Sequence, residues 1–161
     1  MTRAYLSLGS NKGNGPDQIA RAINQLSNQP GLAIIAQSPL YRTTPVGPIE
    51  QADFTNAAIV VETTIDPEDL MRLCHKIERQ MGREREKEQR WGPRLIDIDL
   101  IAYGTQTRNG PDLVLPHPRF AERAFVLVPL NAIAPNDEIG GHKIKDYLAR
   151  LDQKGVDRLN T

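Results

Sequence analysis

The chain has 161 residues, with 20 basic and 20 acidic side chains and a formal net charge of zero. This length suggests one domain, residues 1–161, and the balanced charge excludes an unspecific nucleic-acid binder, whose affinity would come from excess Lys and Arg. The single cysteine, Cys74, excludes an internal disulfide, and no apolar run reaches the roughly 18 residues of a membrane span. We therefore expect a soluble, cytoplasmic protein without nucleic-acid or membrane partners. We also expect a monomer.

The hydrophobic pattern predicts elements in the order β-α-β-β-α-β, followed by further helices. Alternating apolar residues indicate the strands, and apolar residues at helical spacing indicate the helices. Pro39 places a bulge or a sheet edge within the second strand. The predicted strands are 3–9, 32–43, 54–63 and 94–103, and the predicted helices begin near Pro16 and Pro67, end near Asn28 and Gly82, and are followed by two more near 121–133 and 143–152.

This order is the ferredoxin-like βαββαβ pattern of an α+β protein, with an antiparallel sheet and both helices on one face. The additional C-terminal helices would cover the opposite face and so give three α-β-α layers. Fold class alone does not identify a function, because the same fold carries unrelated activities.

Two aspartates, Asp97 and Asp99, interrupt the apolar run of the fourth strand. Because residues two apart share a strand face, both carboxylates lie opposite the apolar face of Ile96 and Ile98. Burying an unpaired carboxylate is costly, so each needs a partner. Two interpretations are open: the aspartates bind Mg²⁺, which accepts one or two carboxylates plus water and phosphate oxygens, or they pair with neighbouring arginines.

A charged loop, residues 83–93, precedes this strand, and Arg83 and Arg94 bracket it. Arginine forks match phosphate oxygens, so these two residues indicate a polyanionic substrate beside the aspartates. For Lys87 and the three glutamates of the loop we favour the alternative, a solvated segment with internal pairing. Strand alternation turns Arg94 away from the aspartates unless it precedes the regular part of the strand.

Three other features are less specific. Trp91 is either a latch over a ligand or an anchor for its own loop. The glycine-rich segment Gly9–Gly15 matches neither the P-loop nor the dinucleotide fingerprint, so it is read as a strand-to-helix turn. His117, followed by two arginines, is compatible with a further polyphosphate contact.

Six motifs extend over nearly the whole chain, and the most specific is RWGPRLIDIDL at 90–100. The others are YLSLGSN at 5–11, YRTTPVGP at 41–48, FTNAA at 54–58, IERQMGR at 77–83 and LPHPRFAERAFVLVPL at 115–130. Together and in this order they resemble the 6-hydroxymethyl-7,8-dihydropterin pyrophosphokinase family of folate biosynthesis.

The resemblance implies an enzyme, a 2-amino-4-hydroxy-6-hydroxymethyldihydropteridine diphosphokinase, that transfers pyrophosphate from ATP to the pterin and releases AMP. It implies two Mg²⁺ ions held by Asp97 and Asp99, with Arg83 and Arg94 as catalytic residues that neutralise the transferred group. The implied pterin-binding residues are Thr43, Thr44, Val46, Phe54, Asn56 and Phe125. The implied ATP-binding residues are Glu78, Arg90, Trp91, Leu100, His117 and Arg123.

Two other functions compete with this interpretation. Ferredoxin-like sheets also bind single-stranded RNA through exposed aromatic residues, but the chain has few aromatic residues and no net positive charge. A degenerate enzyme kept as a structural subunit would not be expected to retain both aspartates and both bracketing arginines. If the chain is the enzyme, loops 44–52 and 83–93 should be mobile without ligand and close over bound substrates.

Overall fold

A computed structural model of the protein describes residues 1–45 and 47–159. The helices are Gly15–Ser27 (α1), Pro67–Gln80 (α2), Ala124–Ile133 (α3) and Ile144–Leu148 (α4). The strands are Thr2–Ser10 (β1), Leu32–Gln37 (β2), Tyr41–Thr43 (β3), Phe54–Thr63 (β4), Asp97–Tyr103 (β5), Arg108–Asn109 (β6), Val114–Leu115 (β7), Glu138–Ile139 (β8), His142–Lys143 (β9) and Val156–Arg158 (β10). Short 3₁₀ turns lie at Arg85–Lys87 and Phe120–Glu122.

The main sheet is antiparallel and has the strand order β10-β3-β4-β1-β5, with β2 also paired to β4. The single second strand predicted from the sequence is divided into β2 and β3 around Pro39, which has no backbone N–H to donate. At the division, the Ser38 hydroxyl accepts a hydrogen bond from the Ala58 N–H at 2.9 Å. With β2 and β3 counted as one strand, the core is the predicted ferredoxin-like arrangement.

Helices pack on both faces of this sheet, so the molecule has the three predicted layers. On the face covered by α1 and α2, Leu6 and Leu8 of β1 and Ile77 of α2 are almost fully buried. On the face covered by α3 and α4, Leu127 and Leu130 of α3 are fully buried. Each such side chain contributes roughly 1.5–3 kcal/mol of burial free energy, so both faces of the sheet are stabilised by apolar packing.

Local signals set the ends of the first two helices. The side chain of Asn14 caps α1 by accepting a hydrogen bond from the Asp17 N–H at 3.2 Å. Helix α2 begins at Pro67, as predicted, and ends before Gly82, whose φ of 103° is in the region that favours glycine. The last helix is shorter than predicted, because it ends at Leu148 instead of near residue 152, and the hairpin of β8 and β9 precedes it at residues 138–143. No helix in the described part of the chain could cross a membrane.

Strand β5 begins at Asp97 rather than at the predicted residue 94. Ile96, Ile98 and Leu100 pack in the core under α1 and α2, which confirms the predicted apolar face. A register shift against β1 follows, and Ile101 then packs in the opposite core, under α3 and α4. The regular part of the strand therefore starts with the two aspartates on the face opposite α1 and α2.

Candidate active site

A cavity of about 660 Å³ opens at the end of the main sheet where β5 and α3 begin. Five basic and three acidic side chains line it, and this positive excess favours a polyanionic ligand. The lining residues from β1, β3, β4, β5 and α3 are Ser7, Gly9, Thr43, Phe54, Asn56, Asp97, Asp99, Ala124 and Phe125. The other lining residues are Thr44, Pro45, Arg90, Trp91, Gly92, Arg94, Arg119, Glu122, Arg123, Lys154, Gly155 and Val156.

Asp97 and Asp99 line this cavity from the first three residues of β5. In the sheet register they lie beside Gly9 and Ser7 of β1. Burial and the neighbouring Asp97 carboxylate raise the pKa of Asp99 well above its ordinary value. Asp97 pairs with Arg83, whereas Asp99 has no ion-pair partner among residues 1–45 and 47–159. The protein therefore compensates the negative charge of this carboxylate pair only in part.

Arg83 lies in a buried cluster of charges and not on the cavity wall. Its Nη1 donates to Asp97 Oδ1 at 3.0 Å and to Glu78 Oε2 at 2.9 Å. Its Nε and Nη2 donate to the two carboxylate oxygens of Glu88 at 2.8 and 2.9 Å. The cluster contains the internal pairing expected for the loop glutamates, at Glu88, and the pairing of Asp97 with a neighbouring arginine that was one of the two open interpretations. The catalytic role of Arg83 stays a prediction.

Glu78 connects α2, β5 and the charged loop, and only 1% of the residue is exposed. Its Oε2 accepts a hydrogen bond from the Ile98 N–H at 2.7 Å, and its Oε1 accepts one from Arg85 Nη2 at 2.8 Å. Burial raises the pKa of Glu78, while the nearby Arg83 guanidinium opposes that shift. With both oxygens bonded inside the protein, this carboxylate fixes the start of β5 and does not face the cavity.

Arg94 lines the cavity from a position before β5 becomes regular, so strand alternation does not determine its direction. Its Nη1 donates to three backbone carbonyl oxygens of the segment Gln89–Pro93, at 2.8 to 3.1 Å. Its Nε lies 3.2 Å from a carboxylate oxygen of Glu88. The guanidinium thus holds the end of the charged loop in place beside the aspartates.

Trp91 lines the cavity and also connects its own loop, residues 83–93, to the loop 44–52. Its φ of 65° is unusual for a residue with a side chain, and the residue is 37% exposed. The guanidinium carbons of Arg90 and Arg119 lie 5.4 and 5.8 Å from the ring centroid. Gln51 Nε2 donates to the Trp91 carbonyl at 2.6 Å, so the residue anchors its loop to the loop 44–52.

Asn11 connects the turn after β1 to both of these loops. Its Nδ2 donates to Gln51 Oε1 and to the Ala52 carbonyl, each at 2.8 Å. Its Oδ1 accepts a hydrogen bond from the Arg94 N–H at 2.8 Å. No role was predicted for Asn11 or Gln51. The position of Asn11 at the end of the YLSLGSN motif was the one feature of the sequence that could have indicated its role.

Two aromatic rings also line the cavity. Phe54 begins β4 and Phe125 lies in the first turn of α3, and both side chains line the cavity. The guanidinium carbon of Arg123 lies 5.6 Å from the centroid of the Phe125 ring. Two rings on one cavity suit a flat aromatic ligand, since ring pairs prefer offset-stacked or edge-to-face contacts.

Asn56 is a buried polar residue of β4 that also lines the cavity. Its Oδ1 accepts a hydrogen bond from the Thr43 hydroxyl, and its Nδ2 donates to the Leu8 carbonyl at 3.3 Å. A Cβ at Gly9 would lie only 2.7 Å from this Nδ2, so the glycine leaves the space that the amide occupies. The amide is therefore fixed in direction and keeps one N–H and part of its oxygen for a ligand.

The cavity brings together most of the residues that the sequence analysis assigned to ligand binding or catalysis. On its wall are Thr43, Thr44, Phe54, Asn56, Arg90, Trp91, Arg94, Asp97, Asp99, Arg123 and Phe125. Not on its wall are Glu78, Arg83, Leu100 and His117. Val46 lies outside the described residues.

Leu100 and His117 have different surroundings outside the cavity lining. Leu100 is buried in the apolar core under α1 and α2, so its side chain does not reach the cavity. The Nδ1 atom of His117 accepts a hydrogen bond from the Arg119 N–H at 3.2 Å. Burial and the nearby Arg123 lower the pKa of His117, which favours a neutral ring. Their roles in ATP binding stay predictions.

Paired aspartates, several arginines and two aromatic rings around one cavity favour a transferase that handles a polyphosphate.

The chain matches the sequence model of the 7,8-dihydro-6-hydroxymethylpterin-pyrophosphokinase family over residues 5–135. A relative from Methylorubrum extorquens is 47% identical over 159 residues, which are 99% of each chain. A relative from Bacillus subtilis is 37% identical over 153 residues, 95% of this chain and 87% of the relative. Both are named 2-amino-4-hydroxy-6-hydroxymethyldihydropteridine pyrophosphokinase. The chain belongs to this family.

Solved structures support the fold independently. Wild-type HPPK-DHPS of Plasmodium falciparum, solved with pterin and p-hydroxybenzoate, superposes with a TM-score of 0.70 at 17% identity over 92% of this chain. The same protein solved with pteroate gives a TM-score of 0.72 at 16% identity, again over 92% of this chain. The chain spans 41% and 42% of the length of those two chains. At these identities the similarity shows the fold alone.

Proposed function

We propose that this cavity is the site at which the chain transfers pyrophosphate from ATP to 6-hydroxymethyl-7,8-dihydropterin. Family membership gives the activity itself: the chain is a 2-amino-4-hydroxy-6-hydroxymethyldihydropteridine diphosphokinase of folate biosynthesis. The observation that carries the placement is that both aspartates and both aromatic rings line one cavity with a positive excess of charge. Residues 1–161 would then act as one pyrophosphokinase domain, working as a monomer on these two substrates.

The pterin would lie in the aromatic part of the cavity, between Phe54 and Phe125. Asn56, whose amide direction is fixed by Thr43, would bond the polar edge of the pterin. Backbone groups of Thr43 and Thr44 would complete its hydrogen bonds, as the family resemblance suggests. A ring bonded along one edge and packed on both faces is held in one orientation, which directs its hydroxymethyl group.

The family consists of ATP-using kinases that generally depend on magnesium, and the carboxylate pair suits that ion. Asp99 has a raised pKa and no ion-pair partner among the described residues, so a cation beside it would stabilise its charged form. No group of three or more metal-ligating side chains forms anywhere in the described ranges. A site with two carboxylates leaves positions for water and phosphate oxygens, as Mg²⁺ requires. We assign two ions to Asp97 and Asp99, where they would compensate the charge of the triphosphate.

The arginines divide into two roles. Arg90, Arg94 and Arg123 line the cavity, so their guanidinium groups would neutralise phosphate oxygens. Arg83 bonds Asp97 instead, so we assign it to positioning that carboxylate in the conformation described here. A closed conformation in which Arg83 leaves the cluster and reaches the transferred group would restore the catalytic role that the resemblance implies.

The reaction follows from this placement. The hydroxymethyl oxygen of the pterin forms a bond to the β-phosphorus of ATP and gives up its proton to solvent. The bond from that phosphorus to the oxygen it shares with the α-phosphorus breaks, so AMP leaves with that oxygen. Phosphoryl-type transfer needs little covalent help from the protein, and positioning together with charge neutralisation supplies most of the acceleration. Trp91 and the loop it anchors would exclude water from the transferring group.

The test is an assay of the full chain with ATP, Mg²⁺ and 6-hydroxymethyl-7,8-dihydropterin. We expect AMP and the pterin pyrophosphate in equal amounts, and no AMP when the pterin is omitted. Asp97→Ala should abolish both products, whereas Asp112→Ala, at an exposed position away from the cavity, should not change them. Formation of ADP in place of AMP, or full activity of Asp97→Ala, would contradict the proposal.

A further inference from the structure

The last strand of the described chain, β10, contributes to the cavity although it lies beyond residues 5–135 of the family match. Lys154, Gly155 and Val156 all line the cavity. These residues lie outside each of the six sequence motifs, so neither the motifs nor the family match assigns them a role. They stand beside Thr43 and Thr44, on the part of the cavity where the pterin is proposed to bind.

Strand β10 completes the edge of the sheet next to the pterin side. It pairs with β3 so that Val156 is opposite Thr43, and the Thr44 N–H donates to the Gly155 carbonyl at 2.9 Å. The Leu159 N–H donates to the Leu40 carbonyl at 2.9 Å at the other end. Strand β3 has only three residues, so we expect its pairing with β4 on one side and with β10 on the other to keep it extended.

Gly155 lies close to the side chain of Thr44. Its φ is 85°, and a Cβ placed on it would lie 3.2 Å from Thr44 Oγ1 and 3.4 Å from Thr44 Cβ, which is tighter than most Cβ contacts. The positive φ favours glycine at this position. A side chain here would therefore strain the backbone and require Thr44 to shift by a few tenths of an ångström.

We propose that Gly155 and Val156 are positioning residues for the pterin, acting through Thr44 and Thr43. Gly155 sets the distance between β10 and Thr44, and Val156 supports the wall beside Thr43, whose hydroxyl orients Asn56. This inference rests on the proposed placement of the pterin in the same cavity. It predicts that changes in β10 alter the use of pterin and leave the use of ATP unchanged.

The first test compares Gly155→Ala with Gly141→Ala in the full chain. Gly141 has nearly the same φ, 86°, but a Cβ there meets nothing within 4 Å, so both variants carry the backbone strain and only the first meets Thr44. We expect Gly155→Ala to raise the KM and Kd for pterin about tenfold, with the KM for ATP unchanged. Gly141→Ala should leave all three constants as in the unsubstituted chain. Equal pterin constants in the two variants would overturn the inference.

The second test keeps the inference falsifiable if Gly155→Ala fails to fold. Val156→Ala removes two methyl groups from the wall and should raise the KM for pterin roughly fivefold. Asp157→Ala, on the neighbouring residue of the same strand, is the control, because Asp157 is exposed and lies outside the cavity lining. An equal rise in the KM values for ATP and pterin would show a general loss of structure and would also overturn the inference.

These outcomes separate the inference from the proposed function. If the unsubstituted chain forms no AMP with ATP, Mg²⁺ and pterin, the proposed function fails and the variants are not interpreted. If that chain is active and the β10 variants match their controls, the function stands and the role of β10 fails.

Discussion

The cavity has one half built on strands and one half built on loops, and the two halves are held in place by different means. On the strand half, Asp97, Asp99 and Asn56 occupy fixed registers of a sheet whose opposite face is packed apolar core. On the loop half, Arg94 and Trp91 are held by hydrogen bonds to backbone carbonyls and by contacts with neighbouring loops. The strand half is therefore fixed by packing, and the loop half by a small number of polar contacts.

The difference assigns separate tasks to the two halves. Groups that must keep a fixed distance from each other, such as the carboxylate pair, lie where apolar packing limits movement. Groups that we expect to open and close around ATP lie where a few hydrogen bonds, each worth about 1 kcal/mol, can exchange for bonds to a ligand. The expected mobility of the loops 44–52 and 83–93 is consistent with this division and stays a prediction.

The largest expected effect is on the strand half, from changing the two aspartates separately. Asp97→Asn and Asp99→Asn should each lower turnover at least about 10³-fold, which corresponds to about 4 kcal/mol of lost transition-state stabilisation. Their effects on stability should differ. Asp97→Asn weakens the bond to Arg83 and should lower the free energy of unfolding, whereas Asp99→Asn removes a carboxylate whose charge is unfavourable there and should not.

Turnover is measured as AMP release, and the free energy of unfolding by urea titration of the metal-free protein. Equal destabilisation by both asparagine variants would show that the unequal pairing of the two carboxylates has no energetic consequence. If either variant kept more than a tenth of the turnover, the proposed role of that aspartate in the reaction would be wrong.

The next effect concerns the junction between the two halves, where Glu78 bonds β5 and the charged loop together. Glu78→Ala leaves Arg83 buried with one partner fewer and the Ile98 N–H without an acceptor, so we expect a loss of about 3–5 kcal/mol in the free energy of unfolding. Glu68→Ala is the matched control, because Glu68 lies in the same helix and forms an ion pair with Arg108 at a partly exposed site. That control should lose no more than about 1 kcal/mol.

Chemical denaturation of both variants checks this expectation. If Glu78→Ala and Glu68→Ala lose the same stability, the buried cluster does not join the strand half to the loop half. We also expect turnover to fall in Glu78→Ala, since the start of β5 carries the aspartates.

A smaller effect is expected in the part of the cavity proposed to bind the pterin, where Gly9 leaves space for the Asn56 amide. In Gly9→Ala the added Cβ would lie 2.7 Å from Asn56 Nδ2, so the amide must turn. We expect the KM for pterin to rise about tenfold, which corresponds to the loss of one hydrogen bond of about 1.4 kcal/mol. Gly110→Ala is the control, because its nearest neighbour is 3.8 Å away. Steady-state kinetics with each substrate varied in turn would contradict this if the KM for ATP rose instead.

Much of the strand half could be predicted from the sequence. The bounds of β4, the start of α2 at Pro67 and the shared face of Asp97 and Asp99 follow from alternation and end signals, which depend only on neighbouring residues. The end of α2 just before Gly82 follows from the same kind of local rule. Local rules succeeded here because the packing of the sheet agrees with them.

The remaining contacts depend on residues that are distant in the chain. Asn11 bonds Gln51 and Arg94, which lie 40 and 83 positions away, and no periodicity indicates such pairs. Pairing of Asp97 with a neighbouring arginine was one of the two open interpretations, but the bond from Arg83 to Glu78 was missed, because no local pattern shows that a helix carboxylate is buried beside the loop. Strand β10 was missed because its three residues are too few for alternation to be recognised.

The smallest effect that we predict is on the loop half, at Gln51. Its side chain donates to the Trp91 carbonyl and accepts from Asn11, so Gln51→Ala removes the direct hydrogen bonds from this side chain to the tryptophan loop and to the turn after β1. Because Gln51 is only half-buried and water can replace its bonds, we expect turnover to fall about three- to tenfold, or about 1 kcal/mol, with unfolding free energy unchanged. Gln18→Ala, at a half-buried position of α1 outside the cavity lining, is the control. Stopped-flow measurement of Trp91 fluorescence should show faster loop motion in Gln51→Ala, and an unchanged rate would mean that the loops are held together by other contacts.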